Sequence, residues 1–335
     1  MHTLYHRRKE LVHLQVFGHT ESESLPSAPK PPPGIDPSRF WAVLIGIDDY
    51  PTSPLRGCVS DAKDIAEYLL EDLGMAEDRV QRLLSGDNAC IAPTRENIIN
   101  ALLGLSTNPW IQAGDSIVIY FSGHGSTYQC ADYLPYNGSY AGVGTIEALC
   151  PVDRGGYTSD GDVPDISDRE INGILSEISR TKGHHITVIL DCCHSSSLTR
   201  APQGERTVRS IRPMSKASSV AVMLQAADNR LRYLPGYQSV LEEDWFPDME
   251  SHVILAACKE YEYATEIKGV DGYHGIFTRG LIKALKSVTN DTSYFDLLEA
   301  LPSTINQTPT INGKHRNANL WYQASVSRDS TSGIR

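Results

Sequence analysis

The chain has 335 residues, 40% hydrophobic and 21% charged, values ordinary for a folded soluble chain with one large domain or two small ones. Its formal net charge is -11. An acidic surface repels phosphate backbones and so excludes nucleic acid as a natural partner, while cationic substrates are drawn in.

The seven cysteines are Cys58, Cys90, Cys130, Cys150, Cys192, Cys193 and Cys258. Their number is odd, two are adjacent, and no CxxC pair occurs. That pattern fits neither a disulfide framework nor a structural zinc site, and predicts a reduced, intracellular protein. The N-terminal segment MHTLYHRRKELVHLQVFGHT is interrupted by charge and does not read as a signal peptide. No apolar run reaches the ~20 residues a membrane helix needs. The expectation is a cytoplasmic protein, with the nucleus as a second compartment and no membrane partner.

Residues 1–39 are polar and end in a proline-rich stretch, SLPSAPKPPPGIDPSRF, which reads as a flexible extension with an extended linker. The folded domain is expected over 40–325, followed by a flexible tail at 326–335. WAVLIGI (41–47) is a continuously apolar strand, as expected when both faces are buried. Helical spacing follows over 57–73, then a strand at 78–84 and a helix at 95–105 capped by Thr94. DSIVIYFSG (115–123) and HITVILDCC (185–193) are further buried strands, with a helix near 167–180 between them. HVILAAC (252–258) is a fifth strand and 275–288 another helix. Apolar strands alternating with helices predict an α/β fold with a mostly parallel central sheet and helices on both faces. The stretch 199–251 breaks the pattern, starting basic and ending acidic. It reads as a long functional or cleavable loop.

In an open parallel sheet, ligands bind beyond the carboxyl ends of the strands. FSGHG (121–125) ends the third strand and DCCHSSS (191–197) the fourth. The glycines leave the imidazole of His124 unshielded, and Cys193 follows directly on a buried strand. A thiolate with a nearby imidazole attacks carbonyl carbon, and the same imidazole protonates the leaving amine. Cys193 and His124 are therefore the candidate catalytic pair. The amide of Cys193, with that of Gly125 or Gly123, is the candidate oxyanion donor set. A metal site on Cys192, Cys193 and His194 is disfavoured, because adjacent side chains in extended backbone point opposite ways.

These residues resemble the caspase-haemoglobinase clan and, within it, the metacaspases. FSGHG is similar to the family's histidine motif and DCCHSS to its cysteine motif, with Ser196 where glycine is usual. WAVLIGIDDY, LRGCVSDA (55–62), LCPVD (149–153) and LAACKEYEYATE (255–266) extend the resemblance over about residues 40–325. It implies a caspase-haemoglobinase fold, with a large-subunit part at 40–198, an inter-subunit linker at 199–251 and a small-subunit part at 252–325. It also implies a zymogen-type thiol protease that cleaves peptide bonds after arginine or lysine. An acidic substrate pocket then maps onto Asp61 and Asp191, with Cys58 and Ser122 beside them. Paired carboxylates select a long cation through charge-assisted hydrogen bonds. The caspase cysteine motif with its aspartate specificity is absent.

Many members hold calcium on clustered aspartates. Here Asp153, Asp168 and Glu170 occupy ligand positions, but Arg169 and Arg200 stand where acids are expected. Calcium needs several hard oxygen donors, so the expectation is no required cofactor and weak calcium dependence at most. Asp160, Asp162 and Asp165 form a second acidic stretch. The basic residues Arg200, Arg206, Arg209, Arg212 and Lys216 make the linker a candidate for self-cleavage. The resemblance implies a monomer acting on protein or peptide substrates. A second reading keeps the fold as a catalytically weak signalling or scaffold module. Ser196 and the altered calcium positions leave that reading open, and Cys193, His124 and the acidic pocket oppose it.

Overall fold

The structure is a computed structural model that describes residues 35–136, 142–159, 161–193, 206–214, 219–289, 291–304 and 307–322. The expected N-terminal extension up to residue 34 and the tail at 326–335 lie outside the described residues, as do Ser196, Arg200 and Lys216.

The first half of the chain runs β1 (Phe40–Gly46), α1 (Cys58–Glu67), β2 (Val80–Leu84), α2 (Arg95–Thr107), β3 (Ser116–Ser122), β4 (Gly125–Gln129) and β5 (Thr145–Leu149). A short ladder of β6 (Tyr157–Thr158) and β7 (Gly161–Asp162) precedes β8 (Ile166–Ser167), α3 (Asp168–Lys182) and β9 (Ile186–Asp191). Then come β10 (Arg206–Val208), α4 (Ser219–Leu231), β11 (Val253–Ala256), β12 (Thr265–Gly269), β13 (Gly272–Gly275), α5 (Ile276–Leu285), α6 (Tyr294–Ala300) and β14 (Thr310–Asn312).

Six strands form the central sheet in the order β14-β11-β9-β3-β1-β2. All neighbours are parallel except β14, which runs antiparallel to β11 on one edge. Every residue of β1 and β3 is buried, as strands covered on both faces require. The side chains alternate between two cores. Phe40, Leu44, Val118 and Tyr120 pack with Ile65, Phe277, Leu281 and Leu297 on one face. Val43, Ile45, Ile117 and Ile119 pack with Ile98, Leu102, Ile174 and Ile178 on the other. Thr94 caps α2 by accepting from the amide of Asn97, as its sequence position predicts. Among the described residues, no helix is long and apolar enough to cross a membrane.

The linker differs from expectation. Its described part is not one long loop: Arg206–Val208 forms a strand and Ser219–Leu231 a helix. Val220, Met223, Leu224, Ala227 and Leu231 recur at helical spacing and are buried. The first four meet Tyr128, Tyr136, Ile146 and Val240 in a third core beneath α4. Basic flanking residues obscured this periodicity in the sequence.

Candidate active site

The register of β3 against β9 places Ser122 opposite Asp191. His124 and Cys193 each lie two residues farther on, so the parallel neighbours deliver both to one end of the sheet. Alternation beyond the strand turns Cys192 into the core with α2 and α3, and Cys193 into the core with α1 and α5. The two thiols thus face opposite sides of the sheet, which removes the adjacent-cysteine chelate.

His124 is buried and held at three points. Its amide donates to the Tyr50 hydroxyl at 2.9 Å, and the two rings pack with centroids 4.6 Å apart. Its Nε2 lies 2.7 Å from the carbonyl oxygen of Ser53. That contact assigns the proton to Nε2, since a carbonyl can only accept. Nδ1 then carries the lone pair, and it is buried without a hydrogen-bond partner. Ser53 has φ 61°, a left-handed conformation unusual for a residue with a side chain, so its carbonyl direction is imposed by the surrounding fold. Burial pushes the His124 pKa down to about 4, and the Ser53 carbonyl only partly opposes this. The ring is neutral at pH 7.

The Cys193 thiol is turned toward Ala264. It donates to the Ala264 carbonyl at 3.2 Å and accepts from the Ala264 amide at 2.6 Å. Burial first, then the neighbouring Cys258 thiol, push its pKa well above the ordinary cysteine range. The pair is therefore thiol and neutral imidazole, and no hydrogen bond joins them. Catalytic hydrogen bonds are often long before substrate is engaged.

Arg209 completes the site. Its guanidinium is fully buried and pairs with Asp61 Oδ2 at 2.5 Å and Asp191 Oδ2 at 2.8 Å. Nη1 also donates to Ser122 Oγ at 2.9 Å, and Glu266 Oε2 lies 3.8 Å from Nη2. Three buried carboxylates share one cation. Burial accordingly raises Asp61 to about 7 against the lowering pull of Arg209, and raises Glu266 as well. Thr278 donates to Asp191 at 2.6 Å, and the Gly275 amide donates to both oxygens of Asp61 at 3.0 and 2.9 Å. A side chain at Gly275 would overlap Asp191, Arg209 and Asp61, so glycine is required for the pocket wall. Cys58 is buried beside Ser122, whose hydroxyl contacts its thiol.

The backbone of Arg209 is as specifically held as its side chain. Thr207 and Val208 pair antiparallel with Glu266 and Thr265, and the Arg209 amide continues that ladder to the Ala264 carbonyl at 3.0 Å. The Arg209 carbonyl accepts from the amides of Gly125 at 3.1 Å and Cys193 at 3.0 Å. On the far side, the Ile211 amide donates to the Gly125 carbonyl at 3.0 Å. Of the donors considered from sequence, Gly125 and Cys193 converge on this oxygen.

The sequence reading named Asp61, Asp191, Cys58 and Ser122, and the structure gathers all four around one guanidinium. It missed Glu266, Gly275, Ser53 and Tyr50. A lone acid on β12 or a glycine before α5 carries no signal until the chain is folded around it. Arg209 was read only as one of several linker cations. The calcium candidates are engaged by protein groups. Asp153 Oδ1 accepts the Arg95 amide at 2.8 Å, and Arg95 clamps both oxygens of Glu170 at 2.8 Å. Asp168 is exposed at the start of α3 and accepts the Arg169 amide at 2.8 Å. Among the described residues these three do not gather their oxygens around a point. Asp165 is clamped by Arg154 at 2.8 and 2.7 Å, and Asp160 lies outside the described residues.

A six-stranded, mostly parallel sheet with a cysteine and a histidine at adjacent strand ends defines the caspase-haemoglobinase fold. A Geobacter sulfurreducens protein of solved crystal structure is similar, with TM-score 0.54 and 20% identity over 81% of this chain and 92% of that one. Residues 41–202 match the family described as "Metacaspase, peptidase C14 domain". Metacaspase-4 of Arabidopsis thaliana is 34% identical over 160 residues, 47% of this chain and 34% of that protein. Metacaspase-6 of the same plant is 35% identical over 159 residues, 47% and 38% respectively. Metacaspase-1 of Ajellomyces capsulatus is 30% identical over 206 residues, 55% and 52%. Over residues 41–202 the chain is similar to the metacaspase, caspase-like family, and its matches span between a third and about half of these relatives' length.

Proposed function

We propose that the protein is a cysteine endopeptidase that cleaves after arginine or lysine, and that the Arg209–Ser210 bond is its own processing site. One observation carries this reading. Arg209 is bound as a substrate would be, with its side chain among Asp61, Asp191 and Glu266 and its carbonyl between two amides. Strand pairing with β12 is the mode by which many peptide binders hold extended chains.

The chemistry follows from the placement. The Cys193 thiol turns from Ala264 toward the Arg209 carbonyl carbon and passes its proton to His124 Nδ1. Sulfur forms a bond to that carbon, and the Gly125 and Cys193 amides take the developing oxyanion charge. The carbon–nitrogen bond to Ser210 breaks as His124 returns the proton to the leaving amine. Water then hydrolyses the thioester, giving the Arg209 carboxylate and free thiol. The Ser53 carbonyl keeps the Nε2 tautomer throughout. Until the bond is cut, Arg209 blocks other substrates, so the uncut chain is a zymogen. Arginine is preferred over lysine, because both Nη atoms find oxygen partners and an ammonium offers no such fork.

The test uses fluorogenic peptides with arginine, lysine or aspartate before the cleaved bond, on wild type and Cys193→Ala. Cleavage after arginine exceeding lysine, none after aspartate, and loss in the variant are expected. Mass spectrometry of the wild type should show a new N-terminus at Ser210 that the variant lacks. Absence of any Cys193-dependent cleavage after a basic residue would remove the proposal.

A further inference from the structure

We propose that Asp61, Asp64 and His274 form a zinc site on the outer side of the acidic pocket. Asp61 and Asp64 are three residues apart on α1 and therefore share a face. His274, on β13, meets that face. Its Nδ1 lies 3.2 Å from Asp64 Oδ2 and 3.8 Å from Asp61 Oδ1. Zinc bonds of about 2.0 Å in tetrahedral arrangement place ligand atoms about 3.3 Å apart, so the trio needs little adjustment to close on an ion. All three candidate atoms lie within 4.8 Å of one another.

A second observation is independent of the spacing. His274 is 5% exposed, and its ring nitrogens face the Asp64 and Asp271 carboxylates without well-directed hydrogen bonds. A buried imidazole gains from a well-directed partner at each nitrogen, and a metal at Nδ1 would supply one. Nε2 lies 3.4 Å from Asp271, the carboxylate position that commonly orients a zinc-bound histidine. Asp64 is 37% exposed, which leaves a route from solvent and room for a water as fourth ligand. The surrounding charges are compatible with a dication: Asp61, Asp64 and Asp271 are acidic, Arg279 is neutralised by Asp271, and Arg209 is held by the pocket acids. One imidazole with two carboxylates suits zinc better than calcium, which prefers an all-oxygen shell.

The site would act on the pocket through Asp61, which is common to both. Its Oδ2 binds Arg209 and its Oδ1 faces His274. A dication on this carboxylate lowers the negative potential felt by a guanidinium. This consequence, unlike the site itself, rests on the proposed peptidase function: zinc should raise KM for arginine peptides with less effect on kcat.

The experiment is isothermal titration of the full chain with zinc in a Cys193→Ala background, which removes the nucleophile as a ligand. It is repeated with cobalt(II), read by visible absorption. One site is expected, with tetrahedral cobalt bands and no thiolate charge transfer, weakened at least tenfold in Asp64→Asn and in His274→Gln. Thermal melts of the variants check folding, and the exposed Asp64→Asn decides the matter if His274→Gln does not fold. Unchanged affinity in Asp64→Asn, or thiolate bands in wild type only, would place the metal elsewhere and overturn the proposal. Steady-state kinetics of wild type and Asp64→Asn with zinc form a separate arm. Binding without a KM effect would remove the coupling and leave the site. A protein with no peptidase activity would leave the titration result standing.

Discussion

Removing water from around the His124 ring favours its neutral form and lowers its pKa to about 4 from the ordinary 6.5. The unfolded chain therefore takes up a proton as pH falls through 6.5, while the folded chain resists until about 4. The stability tied to this ring is present above pH 6.5 and is lost as pH drops toward 4. At pH 5 the loss amounts to about 2 kcal/mol for one such histidine. Urea melts at pH 7.5 and pH 5 should show His124→Asn losing less stability on acidification than wild type. Equal losses would mean that the ring is accessible to protons in the folded state. Arg209 is the opposite case: a permanent cation buried among three acids, where each desolvated charge depends on the others. The sequence listed it beside four other basic residues with nothing to single it out.

At the scale of elements, the stretch expected as a linker contributes folded structure. The apolar face of α4 closes over β4 and β5 and contributes Val220, Met223, Leu224 and Ala227, all fully or almost fully buried. Leu224→Ala should cost about 2–5 kcal/mol by leaving a cavity, measured by chemical denaturation. A cost below about 1 kcal/mol would mean that α4 is not docked in solution. The same helix limits how far the chain around Ser210 can withdraw, since the segment re-enters the fold within ten residues. On the other side, α1 carries Asp61 into the arginine pocket and Asp64 to its outer rim. One helix face thus serves both the proposed specificity pocket and the proposed metal site.

For the whole molecule, the sheet order determines what processing can do. β9 precedes Arg209 in the chain, whereas β11 and β14 follow it, and β11 pairs directly with β9. β12, also downstream, supplies Glu266 and the ladder that holds Thr207 and Val208. Cutting Arg209–Ser210 therefore leaves both pieces joined by a parallel strand pair and two shared cores. Cleaved protein should elute as one species on size exclusion in native buffer and separate only under denaturing conditions. Separation in native buffer would contradict the continuous sheet.

Sequence alone was enough for the alternation of buried strands and helices, because apolar periodicity is a local property of the chain. It also placed Cys193 and His124 just beyond strand ends, and the parallel pairing of those strands brings the two to one end of the sheet. Family resemblance added Asp61 and Asp191 as a pocket. Only the tertiary structure decided which groups meet across long separations in the chain. Ser53 meets His124, Glu266 and Gly275 meet Asp61, and Arg209 fills the pocket between them. These contacts join residues far apart in sequence, so no local pattern marks them. Tertiary contact likewise brings Arg95 to two of the calcium candidates, its amide to Asp153 and its guanidinium to Glu170. A residue type states what chemistry is available. The fold decides which partners desolvate it, neutralise it or leave it free to react.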